Sequence, residues 1–255
     1  MTLYPPNRLK QKLRAGEPAL GFWLSLNSIG VTEMAAGAGW DWVLLDMEHS
    51  IHTDESVERH LLAASHGGAA EFVVRVPSID PTLVKRLIDG GVRNFMFPFV
   101  QTVEEAQRAV ASTRYPPHGT RGFSGATRAS RWGRDKTYLD TYTDDICIIA
   151  QIETTQAITN IPAYGAIEGI DAMLIGANDL AANMGHLGDT RHPDVVAAVE
   201  QAGAAIRATG RAAGFQFFDD RAATLLKQGF TLAAVSGDIH TLSSGMARSL
   251  SELNE

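Results

Sequence analysis

The stretch ICIIAQIE, Ile146–Glu153, decides the fold, because it is a short run that is apolar except for Gln151 and ends in a carboxylate. Similar short runs, rich in apolar and β-branched residues, recur roughly every 25 to 35 residues along the chain. They are Ala19–Ser25, Trp42–Glu48, Phe72–Pro77, Asn94–Val100, Ala172–Asp179, Ala213–Phe218 and Leu232–Asp238. Most are continuous rather than alternating, which predicts strands buried on both faces of a parallel sheet.

Helix signals separate these runs. Asp80 followed by Pro81 is typical of a helix start, and Thr102 with Glu105 has the spacing of a capping box. A longer helix is predicted from His192-Pro193-Asp194 to near Gly210. Eight such βα units in 255 residues predict one (β/α)8 barrel, a TIM barrel, as a single domain over residues 1–255. The alternative is a doubly wound sheet, but the glycine fingerprint for dinucleotides and the Walker phosphate loop are both missing.

Composition excludes several classes of function. The 255 residues carry a net charge of −7, and the few arginine clusters lack the density expected of a nucleic-acid-binding protein. No apolar run approaches about 18 residues, so no membrane span is expected. The single cysteine, Cys147, lies within an apolar run and is expected in the core. The start of the chain lacks the apolar segment of a signal peptide, so a cytoplasmic enzyme is expected.

The carboxylates Glu153 and Asp179 both end predicted buried strands. The carboxyl ends of barrel strands meet at one rim, where active sites of such barrels lie. Two carboxylates with water and substrate oxygens suit Mg²⁺ or Mn²⁺, which favours a metal site. The alternative is that each carboxylate caps the helix that follows it.

Other strand ends carry candidate catalytic groups. His49 suits a general base, although it could also belong to a His/Glu metal cluster; His52 is interpreted as incidental to the loop. Arg75 could hold a carboxylate or a developing oxyanion, or form a buried ion pair with Asp46 or Glu48. The remaining histidines show no ligand pattern; they are His60, His66, His118, His186, His192 and His240.

Lysine placement separates two kinds of carbanion chemistry. None of the lysines, Lys10, Lys12, Lys85, Lys136 and Lys227, ends a predicted strand. A Schiff-base aldolase needs such a lysine, so carbanion chemistry here would need a metal as electron sink. The connection Arg114–Thr143 is long for a barrel, which favours a functional loop over a surface excursion or subunit contact.

The ordered set of strand-end residues resembles the HpcH/HpaI family of metal-dependent (class II) pyruvate aldolases. The residues that carry the resemblance are Asp46-x-Glu48-His49, Arg75, Gln151-Ile152-Glu153 and Gly176-x-x-Asp179, together with Arg114–Pro117, Arg121-Gly122 and Arg128–Trp132. The match covers about Gly21 to Ser236. The branch most similar to this chain contains the 4-hydroxy-2-oxo-heptanedioate and 2-keto-3-deoxy-sugar-acid aldolases.

The resemblance implies a role for each matching residue. Glu153 and Asp179 would hold Mg²⁺, Mn²⁺ or Co²⁺, which stabilises the enolate of pyruvate or hydroxypyruvate. The base would be His49, and the residue that stabilises the enolate would be Arg75. The 2-oxo acid would contact Gln151, Ala177, Asn178 and Asp179, and the aldehyde is expected nearer Trp23 and the long connection. Asp89 would raise the basicity of the histidine. Because Asp89 ends a helix, either this contact crosses a subunit boundary or the groups of the site are not confined to strand ends.

The resemblance also implies a homohexamer in which neighbouring subunits exchange their C-terminal helices. Three features depart from the family pattern: Met47, the segment Gly176-Ala177-Asn178 and the bulky pair Phe217-Phe218. The preference for donor and acceptor substrates therefore stays open. Two rival functions also remain. One is a lyase for CoA esters of the malyl-CoA or citryl-CoA type, although no CoA-binding segment is evident. The other is a non-catalytic barrel for assembly or ligand binding.

Overall fold

Eight parallel strands close into a barrel in chain order, so that the last strand pairs with the first. This is a computed structural model that describes residues 5–253; residues 1–4 and 254–255, the ends of the predicted domain, lie outside it. The strands are β1 Ala19–Leu24, β2 Trp42–Asp46, β3 Glu71–Arg75, β4 Asn94–Phe97, β5 Cys147–Ile152, β6 Ala172–Ile175, β7 Ala212–Gln216 and β8 Leu232–Gly237. The predicted (β/α)8 barrel is therefore confirmed.

The helices surround this barrel. They are α1 Arg8–Ala15, α2 Ile29–Gly37, α3 Asp54–Gly67, α4 Pro81–Asp89, α5 Val103–Thr113, α6 Tyr138–Asp145, α7 Thr155–Gly165, α8 Ala177–Asn183, α9 Pro193–Ala208, α10 Arg221–Lys227 and α11 Asp238–Ser251. None of the described helices is long and apolar enough to cross a lipid bilayer. Apart from Asp238, the side chains of α11 are not buried.

Most strands end earlier than the apolar runs predict. β6 ends at Ile175 rather than Asp179, because Gly176 caps α8 and the chain turns directly into that helix. β7 ends at Gln216, so the two phenylalanines of the predicted strand end lie beyond it. Apolar residues continue past the strand ends because the mouth of the barrel is itself partly buried. Run length therefore overestimates strand length.

Local capping explains where the helices begin. Asp80 Oδ1 accepts a hydrogen bond from Thr82 N at 2.8 Å, and Thr102 forms the predicted capping box with Glu105. The cap of α7 is Thr154, whose hydroxyl accepts from Ala157 N at 3.1 Å, so Glu153 is not needed as a cap. Asp179 lies within the first turn of α8 rather than at its cap.

An N-terminal helix, α1, which the apolar runs did not predict, packs against the interior of the barrel. Its Leu9 and Leu13 share a hydrophobic cluster with inward-facing strand residues, among them Cys147, which is fully buried as predicted. Lys10 is also buried, and its ammonium lies 3.4 Å from Asp171 Oδ2. The burial of α1 therefore depends on an ion pair as well as on apolar contact.

The long connection 114–143 does not line the cavity at the carboxyl ends of the strands. It follows α5, and helices of a βα barrel run from the carboxyl rim back to the amino rim. It contacts the end of α4, where Arg121 Nη2 donates to Asp89 Oδ1 at 2.6 Å. Within one chain, the expectation that this connection approaches the aldehyde is therefore wrong.

Candidate active site

A cavity of about 760 Å³ opens at the carboxyl ends of the strands. Eight of the predicted site residues line it: Trp23, His49, Arg75, Gln151, Glu153, Ala177, Asn178 and Asp179. These residues come from five βα units, those that begin with β1, β2, β3, β5 and β6, so closure of the barrel brings them together. Asp89 and residues 114–143 do not line this cavity.

Glu153 is a buried carboxylate at the end of β5, with only 3% of its surface exposed. Phe99 N donates to its Oε2 at 2.7 Å, and Gln151 Nε2 donates to its Oε1 at 3.1 Å. The pKa of Glu153 is raised to about 7, mainly by burial and also by the nearby negative charges of Glu48 and Asp179. The hydrogen bond from Phe99 N acts in the opposite direction, but its effect is smaller than that of burial. A buried carboxylate beside two other acids is stabilised by a cation.

The surroundings of Glu153 fit a hard divalent ion. Gln151 Oε1 is buried and accepts no hydrogen bond from any residue in the range 5–253, so an oxygen ligand is available there. Gly176 leaves room beside the carboxylate, because a Cβ at this position would lie 2.4 Å from Glu153 Oε1. Carboxylate and amide oxygens are the ligands that Mg²⁺ and Mn²⁺ prefer.

Arg75 makes the buried ion pairs that were considered as the alternative to a functional role. Its Nε and Nη2 donate to Asp46 Oδ1 and Oδ2 at 2.9 and 2.5 Å, and its Nη1 lies 2.7 Å from Glu48 Oε2. Although burial alone would raise the pKa of Asp46, hydrogen bonds and the positive charge of Arg75 hold it below its ordinary value. Burial raises the pKa of Glu48 above its ordinary value, because its effect is larger than the opposing effect of the positive charge on Arg75.

Asp46 organises this side of the site, a role that sequence reasoning did not assign. Besides Arg75, its Oδ1 accepts from the backbone N of Glu48 and of His49, at 2.9 and 3.3 Å. Its Oδ2 accepts from Trp23 Nε1 at 3.3 Å. One carboxylate therefore fixes the arginine, the tryptophan and the turn that carries the histidine.

Trp23 is 3% exposed and lies against Arg75, whose guanidinium carbon is 4.9 Å from the centroid of the indole. A guanidinium over an aromatic face is held in place by the ring's negative potential. Trp23 lines the cavity as predicted, and it also restricts the orientation of Arg75.

His49 is the most accessible of the candidate catalytic groups. Its side chain is 64% exposed, and its Nε2 lies 3.8 Å from Glu48 Oε2. His52 has a different environment: its Nδ1 is 3.1 Å from Ser56 Oγ, and its ring packs edge-on against His60. Burial, with a further contribution from His52, lowers the pKa of His60 to about 4.

Asp89 lies apart from His49 within the chain. Its partner Arg121 has a fully buried side chain and stacks over Tyr115, with 4.3 Å between the guanidinium carbon and the ring centroid. Ala129 N donates to the backbone oxygen of Asp89 at 3.1 Å. Asp89 therefore anchors the connection 114–143 to α4.

The β7–β8 side of the cavity contains residues that sequence reasoning did not select. Arg221 Nη1 donates to the hydroxyl and carbonyl oxygens of Thr190, both at 3.0 Å, and its guanidinium carbon lies 3.8 Å from the ring centroid of Phe217. Phe218 packs against His240 at the start of α11, with 5.6 Å between ring centroids. Arg221 is on a helix rather than at a strand end, so the strand-end criterion could not find it.

No lysine lines the cavity, and within residues 5–253 none lies on a strand. They lie on the helices α1, α4 and α10 and in the connection before α6. Among these described residues, no lysine amine is placed to form a Schiff base at the centre of the barrel.

An eight-stranded barrel with acidic, basic and imidazole side chains at its carboxyl rim is the arrangement of a TIM-barrel enzyme. The family model described as HpcH/HpaI aldolase/citrate lyase matches residues 19–244. The chain belongs to this family, and its aldolase relatives identify it as a carbon–carbon lyase.

Two curated relatives have similar identities to this chain. A pyruvate aldolase of Rhizobium etli is 43% identical over 242 residues, covering 94% of this chain and 95% of that protein. A 4-hydroxy-2-oxo-heptane-1,7-dioate aldolase of Escherichia coli is 42% identical, covering 91% and 89%. Among solved structures, an HpcH/HpaI aldolase/citrate lyase family protein of Burkholderia cenocepacia has a TM-score of 0.93 at 39% identity, covering 98% of this chain and 100% of its own.

Proposed function

We propose that the protein catalyses reversible aldol cleavage and addition between a 2-oxo acid donor, pyruvate or hydroxypyruvate, and an aldehyde. The observation that carries this proposal is the juxtaposition of the buried Glu153, the unpartnered oxygen of Gln151 and the fixed guanidinium of Arg75 in one cavity. The relatives named pyruvate aldolase and 4-hydroxy-2-oxo-heptane-1,7-dioate aldolase favour a 2-oxo acid substrate, with pyruvate as the donor.

Glu153 and Asp179 would hold a divalent ion, Mg²⁺, Mn²⁺ or Co²⁺, with Gln151 Oε1 beside them. When bound, the ion supplies Lewis-acid polarisation of the donor's keto group and stabilises negative charge on its oxygen. Burial, together with the nearby charges of Glu48 and Asp179, raises the pKa of Glu153, and a bound cation would remove that penalty.

The chain's own residues bind the donor and stabilise its charge. Gln151 and the first turn of α8, at Ala177, Asn178 and Asp179, contact the 2-oxo acid, because N–H groups in a first helical turn have no acceptor within the helix. Arg75 faces the oxygen on which negative charge develops. Its two acidic partners prevent it from rotating away.

His49 moves the proton. In cleavage, the 4-hydroxyl loses its proton and the C3–C4 bond breaks. The electron pair passes into the enolate of the donor, whose C3 then takes up a proton. An accessible imidazole exchanges protons with water between turnovers, which suits His49, whose side chain is 64% exposed. The aldehyde occupies the open part of the cavity, between Trp23 and Phe218.

Asp89 contributes to this site from a neighbouring subunit in the proposed assembly. Its position at the end of α4 separates it from His49 of its own chain. Inactive Asp89→Asn and His49→Ala chains, refolded together, should regain activity, because some mixed sites then contain both groups. Mixtures as inactive as the separate variants would show that Asp89 does not act in this way.

We expect a homo-oligomer, a hexamer in the family pattern, with α11 packed on a neighbour. The helix exposes Ile239, Leu242 and Met246, at 55%, 44% and 62% of their surfaces, along one side. Light scattering on the purified protein measures the subunit number, and a monomer at micromolar concentration would contradict this assembly. A cytoplasmic location stays a prediction from the sequence.

The reaction class is tested by offering two substrates. A 4-hydroxy-2-oxo acid should release pyruvate in the presence of Mn²⁺, whereas malyl-CoA should remain intact. Cleavage of malyl-CoA alone would support the CoA-ester lyase. Cleavage of neither, across Mg²⁺, Mn²⁺ and Co²⁺ and a range of aldehydes in the synthetic direction, would support the non-catalytic barrel.

A further inference from the structure

We propose that His186, His192 and Asp194 form a second metal site, for a borderline ion of the Zn²⁺ type, separate from the active-site cavity. One ligand atom from each side chain lies within 4.8 Å of the other two. Nε2 of His186 and Nδ1 of His192 are each 3.7 Å from Oδ2 of Asp194. The sequence did not reveal this group, because its histidines are six residues apart in a loop.

Backbone hydrogen bonds bring the two histidines together. His186 N donates to Ala181 O at 2.8 Å, which fixes the start of the loop on α8. Asp189 N then donates to His186 O at 2.9 Å, and His192 N donates to Asp189 O at 3.3 Å. Two successive turns therefore place the imidazoles face to face, 3.5 Å between ring centroids and 15° from parallel.

The ligand set selects the class of metal. Two imidazole nitrogens and one carboxylate oxygen are typical of Zn²⁺, whereas Mg²⁺ prefers oxygen ligands alone. Tetrahedral Zn²⁺ with bonds of about 2.0–2.1 Å places neighbouring ligand atoms about 3.3 Å apart. The observed 3.7 Å separations are close to this, and binding requires the stacked rings to turn so that their lone pairs converge beside Asp194.

The site is accessible from solvent. The side chains of His186, His192 and Asp194 are 26%, 34% and 70% exposed. His192 Nδ1 also accepts a hydrogen bond from Asp194 N, and its length of 3.3 Å makes it a weak helix cap that a metal ion can replace. A fourth coordination position remains open for water.

A bound ion would link the end of α8 to the start of α9 and restrain the loop between them. This loop contains Thr190, which accepts two hydrogen bonds from Arg221, and Arg191, whose Nη2 donates to Asp220 Oδ1 at 2.7 Å. Thr190 and Arg221 line the active-site cavity. The second site is therefore placed to stabilise one wall of that cavity without touching the substrate.

The test is a Zn²⁺ titration of the full-length chain carrying Glu153→Gln and Asp179→Asn, which disables the proposed active-site ligands. Calorimetry should show one equivalent of Zn²⁺ bound per chain, with no competition from excess Mg²⁺. Adding His186→Gln or His192→Asn should weaken Zn²⁺ binding by more than about tenfold, since even the loss of an outer-shell partner typically weakens binding by about 10- to 100-fold.

His192→Asn keeps an N-cap side chain on α9, so this variant should fold normally. His118→Gln removes an exposed histidine elsewhere and should leave Zn²⁺ binding unchanged. If the Glu153→Gln, Asp179→Asn chain binds no Zn²⁺, or if binding survives both histidine substitutions, the proposed site does not exist. These outcomes do not depend on activity, so they are separate from the proposed aldolase function.

Discussion

Replacing Arg75 with lysine tests whether the shape of the guanidinium, rather than its charge alone, supports catalysis. The side chain is 7% exposed, and three of its atoms reach three oxygens on Asp46 and Glu48, at distances of 2.5 to 2.9 Å. A lysine ammonium is a single point of charge on a flexible stem and cannot span these oxygens. Arg75→Lys should therefore keep the positive charge but lose its fixed position.

The expected loss follows from the proposed role. Removing one preorganised oxyanion donor typically costs about 2.7–4 kcal/mol, which is a factor of about 10² to 10³ in kcat. Arg75→Lys should fall in this range. Arg75→Ala should also lower the free energy of unfolding by about 3–5 kcal/mol, because it leaves the buried Asp46 without its partner.

The stability effect of Arg75→Ala should depend on pH in a definite direction. The pKa of Asp46 is held below its ordinary value, so its ion pair stabilises the fold above the unfolded pKa of about 3.9 and is lost as the pH falls through the folded value. Without Arg75, burial raises that pKa, and the charged form is then penalised at neutral pH. Urea unfolding should show a larger deficit at pH 7 than at pH 4.

Pyruvate release, followed with lactate dehydrogenase and NADH, measures the catalytic effect. Arg108→Lys is a matched control, because Arg108 lies on α5 with a side chain that is 65% exposed. It should retain the wild-type rate. If Arg75→Lys retains more than about a tenth of wild-type kcat, the argument from an oxyanion donor is refuted.

Three further predictions concern the metal, the electron sink and the proton. Glu153→Gln or Asp179→Asn should abolish turnover and weaken Mn²⁺ binding while the fold persists; wild-type Mn²⁺ affinity in calorimetry would contradict the ligand assignment. Borohydride with pyruvate should not inactivate the protein, and a reduced adduct on Lys85 or any other lysine, detected by mass spectrometry, would establish a Schiff base instead. His49→Ala should slow α-proton exchange of pyruvate and aldol cleavage by about 10² to 10⁴ while leaving metal binding intact. Oxaloacetate decarboxylation, which forms the enolate without removing a carbon-bound proton, should survive His49→Ala better than Arg75→Ala; equal losses in both reactions would show that the two residues do not divide these roles.

Much of the barrel was predictable because strands that are buried on both faces appear in the sequence as short apolar runs. The run Cys147–Ile152 is apolar except for Gln151 near its end, and all six residues are buried, which is typical of a strand enclosed by helices. The carboxyl ends of such strands must meet, so the grouping of Glu153, Arg75 and His49 followed from topology. The positions of the candidate metal ligands and of the candidate base were therefore predictable from the sequence, and their roles stay predictions.

Contacts that depend on backbone conformation or on helices were not predictable. Phe99 donates its N–H to Glu153 from a left-handed conformation with φ of 52°, which no residue pattern indicates. Asp46 was considered only as an ion-pair partner, because nothing in the sequence shows that it also binds Trp23 and the turn at His49. The length of the connection 114–143 does not show which rim of the barrel it occupies; that depends on its position after the helix α5 rather than after a strand.

Removal and return of the metal test the central claim most directly. Protein stripped with a chelator and dialysed should release no pyruvate from a 4-hydroxy-2-oxo acid. Activity should return on adding Mn²⁺, Mg²⁺ or Co²⁺, because the polarisation of the keto group then returns. A stripped protein that cleaves this substrate at the full rate would contradict a metal-dependent aldolase.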